Sequence, residues 1–170
     1  MAVFKRYSIR SWCHYSNFIP SLHRGYPGLG FYSTMGTFYF DGSCRYEVDE
    51  SCCVNKLFGF SFGLFGVHKN SVRFGWTYDK SEDKIAIWSY VYADGKLHKK
   101  KICTVDISEF VQFEIMVDKF GAYFTVDNDL KYIFRHTFDS SLFDRYLLDL
   151  GPYFGGKSRA PHEIVIFNKK

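Results

Sequence analysis

Hydrophobic and polar positions alternate with period two along most of the chain. Val72, Phe74, Trp76 and Tyr78 alternate with Ser71, Arg73, Gly75 and Thr77. Ile85, Ile87 and Val91 form the apolar set of the next run, with Ala86, Trp88, Tyr90 and Tyr92 opposite. Val111, Phe113, Ile115 and Val117 alternate with Gln112, Glu114, Met116 and Asp118. This is the signature of half-buried β-strands, and turn residues punctuate it. Asp94-Gly95 predicts a two-residue hairpin into Lys96 to Val105, and Asp41-Gly42 predicts one between strands at 37–40 and 45–48. Asn128-Asp129 predicts a turn between 122–126 and 130–134. Lys56 to Phe65 carries Phe58, Phe60 and Phe62 on one side with glycine and serine on the other, and its glycines disfavour a helix there. Val3 to Ile9 reads as an edge strand, and 147–154 and 163–167 as closing strands. Only Ser140 to Tyr146 suits a short helical turn.

Ten or more short strands with almost no helix predict an all-β fold, a two-sheet antiparallel β-sandwich of jelly-roll type. With 170 residues the chain reads as one domain, in which 1–30 forms an irregular segment packed on the body. Tyr15, Phe18 and Tyr26 tie that segment down, and Pro20, Gly25, Pro27, Gly28 and Gly30 keep it irregular. Aromatic residues make up 21% of the chain, 19 Phe and 13 Tyr among them, which suits packing on a pleated surface.

The formal charge of +4 is too small for a nucleic-acid footprint. Five cysteines in an odd count, without a CxxC spacing, argue for free thiols. Neither Cys13-His14 nor Cys52-Cys53 has zinc-ligand spacing, so no metal or cofactor is expected. Met1 to Trp12 lacks the apolar stretch of a secretory signal, and the expectation is a protein made in the cytoplasm.

The turns dictate which side chains share a face. If Tyr78 pairs with Ile85, Arg73 lies opposite Tyr90 and Gly75 opposite Trp88. The Asp94-Gly95 turn then sets Lys99 beside Tyr90 and Lys101 beside Trp88. One face therefore carries Arg73, Trp88, Tyr90, Tyr92, Lys99 and Lys101, opposite a core of Val72, Phe74, Trp76, Ile85, Ile87, Val91 and Ile102. Aromatic rings and fixed cations suit an acidic or hydroxylated glycan. A structural role fits the same residues: Arg73 stacked on Tyr90, with the N-terminal segment covering the patch. His68, Arg159 and His162 are weaker candidates in loops, and Gly155-Gly156 suits a tight turn.

KLFGFSFG, SVRFGW, the YVYADG hairpin and GPYFGGKSRAPHEIVIF resemble a family of small proteins of Bacteroides-type gut bacteria and their phages, similar to the concanavalin A-like lectin and glucanase superfamily. The resemblance implies a jelly roll with a concave carbohydrate-binding sheet. The ExDxxE run of laminarinase-type hydrolases has no counterpart, since the DKSED cluster of Asp79 to Asp83 lies in a turn. Jelly-roll alginate lyases are resembled at the aromatic stretch 150–155, but their RxExR and QxH strands are missing.

These features together predict a non-catalytic, lectin-like module that binds a polysaccharide. A lyase acting on an acidic glycan is the alternative, with Arg73 neutralising a carboxylate, Tyr90 or His68 as base, and Lys99 lowering the tyrosine pKa. A structural or virion protein without sugar binding is a third reading. A second copy of the chain or a virion component remains open as a partner, and no nucleic acid or membrane is expected.

Overall fold

A computed structural model describes residues 3–24, 30–48 and 53–169. In chain order the strands are β1 (Phe4–Ile9), β2 (Leu22–Arg24), β3 (Phe31–Phe40), β4 (Asn55–Phe62), β5 (Ser71–Asp79) and β6 (Lys84–Ala93). They continue with β7 (Lys96–Asp106), β8 (Phe110–Asp118), β9 (Gly121–Val126), β10 (Asp129–Arg135), β11 (Tyr146–Leu150) and β12 (Ile164–Lys169). Among the described residues the only helical pieces are two 3₁₀ turns, Gly42–Cys44 and Ser140–Leu142.

Two six-stranded antiparallel sheets face each other, ordered β1-β12-β3-β8-β9-β10 and β2-β11-β4-β5-β6-β7. This is the expected jelly-roll sandwich, with β1 at an edge. The inward rows meet in an aromatic core: the Phe38 and Phe58 ring centroids are 4.9 Å apart, and Phe74 lies 5.1 Å from both Phe113 and Phe124. Trp76, Phe40, Phe60 and Ile115 are fully buried in it.

The β5–β6–β7 meander has the predicted pairs, with Arg73 opposite Tyr90, Gly75 opposite Trp88, Tyr90 opposite Lys99 and Trp88 opposite Lys101. Beyond Lys101 a bulge at Ile102 shifts the register, and Cys103 rather than Ile102 stands opposite Ile87. Asp94 and Gly95 both have positive φ, at 51° and 80°, as a turn matching the strand twist requires.

Three expectations are corrected. No hairpin forms at Asp41-Gly42, because β3 already pairs with β12 and β8. The Asp41 carboxylate instead accepts from the Ser43 N–H at 2.9 Å and starts a 3₁₀ turn, after which 45–48 is not a strand. The turn before β10 is Asp127-Asn128, one residue earlier than expected, with both φ angles positive. The strand read at 147–154 ends at Leu150, since Pro152 offers no N–H for a ladder. The expectations for Gly25, Tyr26, Pro27, Gly28 and Cys52 lie outside the described residues.

Candidate functional site

The site grows from a β-bulge in β4. Lys56 pairs with Gly75, but Phe58 pairs with Phe74, so one extra residue, Leu57, sits in between. Strict alternation would put Lys56 on the same side as Phe58, Phe60 and Phe62, in the core. The bulge re-aims it to the outer face beside Arg73, while Leu57 and Phe58 both stay buried.

Arg73 projects from the centre of β5 beside Gly59. The Gly59 backbone has φ 150°, and a Cβ there would lie 2.7 Å from the Arg73 Cα and 2.9 Å from its Cγ. Only glycine leaves room for the arginine stem. The guanidinium carbon sits 5.4 Å from the centroid of the Tyr90 ring. The Lys56 Nζ sits 4.6 Å from the same centroid and 5.6 Å from that of Tyr153. Both cations are nearly buried, with 6% of Arg73 and 8% of Lys56 exposed.

The far wall comes from the two ends of the chain. Lys56 and Tyr153 exchange backbone hydrogen bonds of 2.8 and 3.0 Å. The His14 ring stacks on Tyr153 at 5.4 Å, and Tyr15 meets it edge-on at 5.1 Å. The Phe154 N–H donates to the His14 carbonyl and the Ser16 hydroxyl to the Pro152 carbonyl. The described part of the N-terminal segment thus stands beside the patch and does not cover it. It forms one side of a cleft of about 670 Å³ whose floor is Arg73, Lys56 and Tyr90. Phe65, Val67 and His68 of the loop before β5 add another side.

No carboxylate is among the described residues lining this cleft. The Arg73 Nε is buried without a hydrogen-bond partner among the described residues. Burial pulls the Lys56 pKa down to about 8, and the charges of Arg73 and Lys99 push the same way. Burial lowers Arg73 as well, but a guanidinium stays charged. Burial and Tyr92 push Tyr90 up to about 12 against the pull of Arg73. Tyr153 is also raised, by burial first. The expected lowering of the Tyr90 pKa is therefore corrected. Burial costs the phenolate more than its cationic neighbours return, so Tyr90 is a poor base and stays protonated.

Among solved structures, the chain resembles a variant of alginate lyase Aly36B in complex with alginate trisaccharide, with TM-score 0.68 at 12% identity over 97% of this chain and 78% of that one. Alginate lyase AlyC3 in complex with dimannuronate matches with TM-score 0.62 at 12% identity, over 98% and 71% of the two chains. A variant of the family 7 alginate lyase A1-II′ in complex with product matches with TM-score 0.56 at 12% identity, over 85% and 62%. No family model matches the chain, and no curated protein matches it in sequence. At such identities the likeness carries the fold. The expectation of a lectin-like module is corrected by these matches, which are to alginate lyases and favour the alternative of a polysaccharide lyase.

The outer face divides into parts. Arg73, Tyr90 and His68 line the cleft, with His68 also edge-on to Tyr92 at 5.2 Å. Tyr92 stands beside Tyr90, their centroids 5.9 Å apart. Trp88 and Lys101 are one row further along, where the indole N–H donates to the Thr77 hydroxyl at 3.0 Å and Lys101 pairs with Asp79 at 2.9 Å. Lys99 is exposed toward the β7 edge. The His162 Nε2 lies 2.8 Å from the Ser43 carbonyl, a structural contact.

Two members of the cleft, Lys56 and Tyr153, were not among the residues chosen from sequence. The signal for Lys56 was a lysine inside an otherwise apolar strand, where it must either be misplaced or mark a bulge.

Proposed function

We propose that the chain is a polysaccharide lyase that cleaves an acidic glycan by β-elimination in the cleft of Arg73, Lys56, Tyr90 and Tyr153. The observation that carries this reading is the pair of nearly buried cations with no carboxylate among the described lining residues. Burying charge without a counter-charge is costly, and a site that keeps two such charges is built for an anion supplied from outside. The jelly-roll neighbours that act on alginate, a polyuronate, support the same substrate class. The Aly36B complex with an alginate tetrasaccharide is of a variant with one lysine and one tyrosine replaced by alanine, the two residue types found beside Arg73 here.

The roles follow from charge and exposure. Arg73 binds the uronate carboxylate and stabilises the negative charge that develops when the C5 proton leaves. Lys56, with a pKa of about 8, is neutral in a useful fraction at mildly alkaline pH and takes that proton. The C5–H electron pair becomes the C4–C5 double bond as the C4–O bond breaks. The leaving oxygen takes a proton from Tyr153, which is less buried than Tyr90 and therefore better able to reach it. The products are two shorter chains, one with an unsaturated end.

Incubation with polymannuronate, polyguluronate or polyglucuronate should give a rising ultraviolet absorbance from the conjugated double bond. Arg73→Ala should lower kcat/KM by about 10²-fold or more. Absence of the signal on all three polymers would sink the proposal.

A further inference from the structure

The far edge of the same sheet has a second feature. In the β6–β7 pairing, Val91 and Ser89 lie opposite His98 and Lys100. Val91 and Ser89 are buried facing the other sheet. His98 and Lys100 therefore occupy positions where a sandwich ordinarily places core side chains, yet both are exposed. The reason is that β7 ends its sheet and β10 ends the other, and the two edges do not close over each other. They leave a groove of about 440 Å³.

One wall of the groove is basic and the other aromatic. The Lys100 Nζ stands 4.7 Å from the centroid of Tyr132, and the His98 ring 4.9 Å from that of Phe134. No carboxylate is among the described residues lining it. A cation over a half-buried ring such as Tyr132 is held by about 0.5–2 kcal/mol, little enough for an anion to compete. Lys100 can therefore turn to an anion and leave the Tyr132 face to an apolar surface. The groove and the cleft lie on opposite sides of the sheet: Arg73, Tyr90 and Lys99 form one row on the outer face, whereas His98 and Lys100 point toward the other sheet. Lys99, on the edge strand, also lines the groove, so a polymer passing from one to the other would turn around the β7 edge, roughly 10 Å from the Arg73 backbone at about 4.8 Å per strand.

We propose that this groove is an accessory binding site for an anionic polysaccharide, with Lys100 and His98 on its carboxylate or sulfate groups and Tyr132 and Phe134 against its sugar rings. That substrate class rests on the lyase reading; the site itself is separate from the reacting centre. A polymer that turned around the β7 edge could occupy both and would be held near the cleft between cleavages.

The test is affinity electrophoresis of the double variant Lys56→Met/Arg73→Ala through gels holding alginate, dextran sulfate or neutral dextran. With the cleft cations removed, alginate should still retard the protein. Adding His98→Ala and Lys100→Glu should weaken retardation about tenfold, as expected for losing and reversing exposed charge contacts. Lys100→Met should fall between. Lys169→Glu, an equal charge change on β12 of the other sheet, should have no effect. Circular dichroism establishes that each variant is folded. Retardation by dextran sulfate alone would keep the groove and assign it to sulfated glycans. The proposal is overturned if alginate and dextran sulfate both fail to retard the double variant, if neutral dextran retards it equally, or if Lys169→Glu acts as strongly as Lys100→Glu. Wild-type protein that is retarded but yields no unsaturated product would sink the lyase reading and leave the groove standing.

Discussion

Replacing Lys56 by methionine should make the protein more stable while abolishing turnover. A pKa of about 8 in place of the ordinary 10.5 means that the folded protein holds this ammonium at a cost of roughly 3 kcal/mol relative to water. Burial is the main cause, and the charge of Arg73 adds to it. Methionine fills the same volume without charge but loses the 2.9 Å hydrogen bond from Nζ to the Val54 carbonyl, worth about 1 kcal/mol. The net gain near pH 7 is then about 2 kcal/mol, or roughly 4–8 °C in Tm for a chain of this size. The gain depends on pH in a definite direction. Below pH 8 the lysine is charged in both states and the cost is carried in full. Between about 8 and 10.5 the unfolded chain keeps a proton that the folded chain has released, so wild-type stability rises with pH across that window. Above it the ammonium cost is gone and only the lost hydrogen bond remains, so Lys56→Met should become the less stable of the two by about 1 kcal/mol. Urea denaturation of both at pH 7 and near pH 10.5 measures the difference. An Lys56→Met protein that is less stable at pH 7, or a difference that does not shrink with pH, would refute the reasoning.

Three further outcomes follow from the same geometry. If Lys56 is the base, kcat/KM on a polyuronate should rise with pH toward an apparent pKa near 8, and a flat profile between pH 6 and 9 would remove it from that role. Asn55 is fully buried, donates to the Tyr46 hydroxyl at 2.7 Å and accepts from the Gly155 N–H at 2.8 Å, which ties β4 to the C-terminal stretch behind the cleft. Asn55→Leu should cost about 2–3 kcal/mol by stranding that N–H, as a shift in the urea midpoint would show. Exposed Cys13 should react with a thiol reagent in the native protein, whereas Cys44, buried and with its pKa pushed well up by burial, should react only on unfolding. Fast labelling of Cys44 in native protein would contradict its position.

The meander shows how much local pattern can carry. Period-two alternation and an Asp-Gly turn were enough to pair Arg73 with Tyr90 and Tyr90 with Lys99, because a slip by one residue turns every side chain of a strand to the other face. The jelly-roll class was legible for the same reason, since many short alternating strands have few ways to bury their apolar sides. The failures are equally physical. Asp41-Gly42 has the residues of a hairpin turn, but β3 finds its partners in β8 and β12, far along the chain, and a turn signal says nothing of which strand is free to pair. Lys56 obeys alternation on paper and escapes it through a bulge that only the pairing with β5 reveals. Tyr153 reaches the cleft because backbone bonds to Lys56 hold it there, nearly a hundred residues away in the chain. The six residues chosen from one face were chosen correctly as neighbours in a sheet, but which of them share a site depended on what stands above the sheet. The N-terminal segment and the stretch after β11 wall in Arg73 and Tyr90 and leave Trp88 and Lys101 outside. Even the direction of the Tyr90 pKa turned on this, because burial is set by the whole fold and here outweighs the neighbouring positive charge.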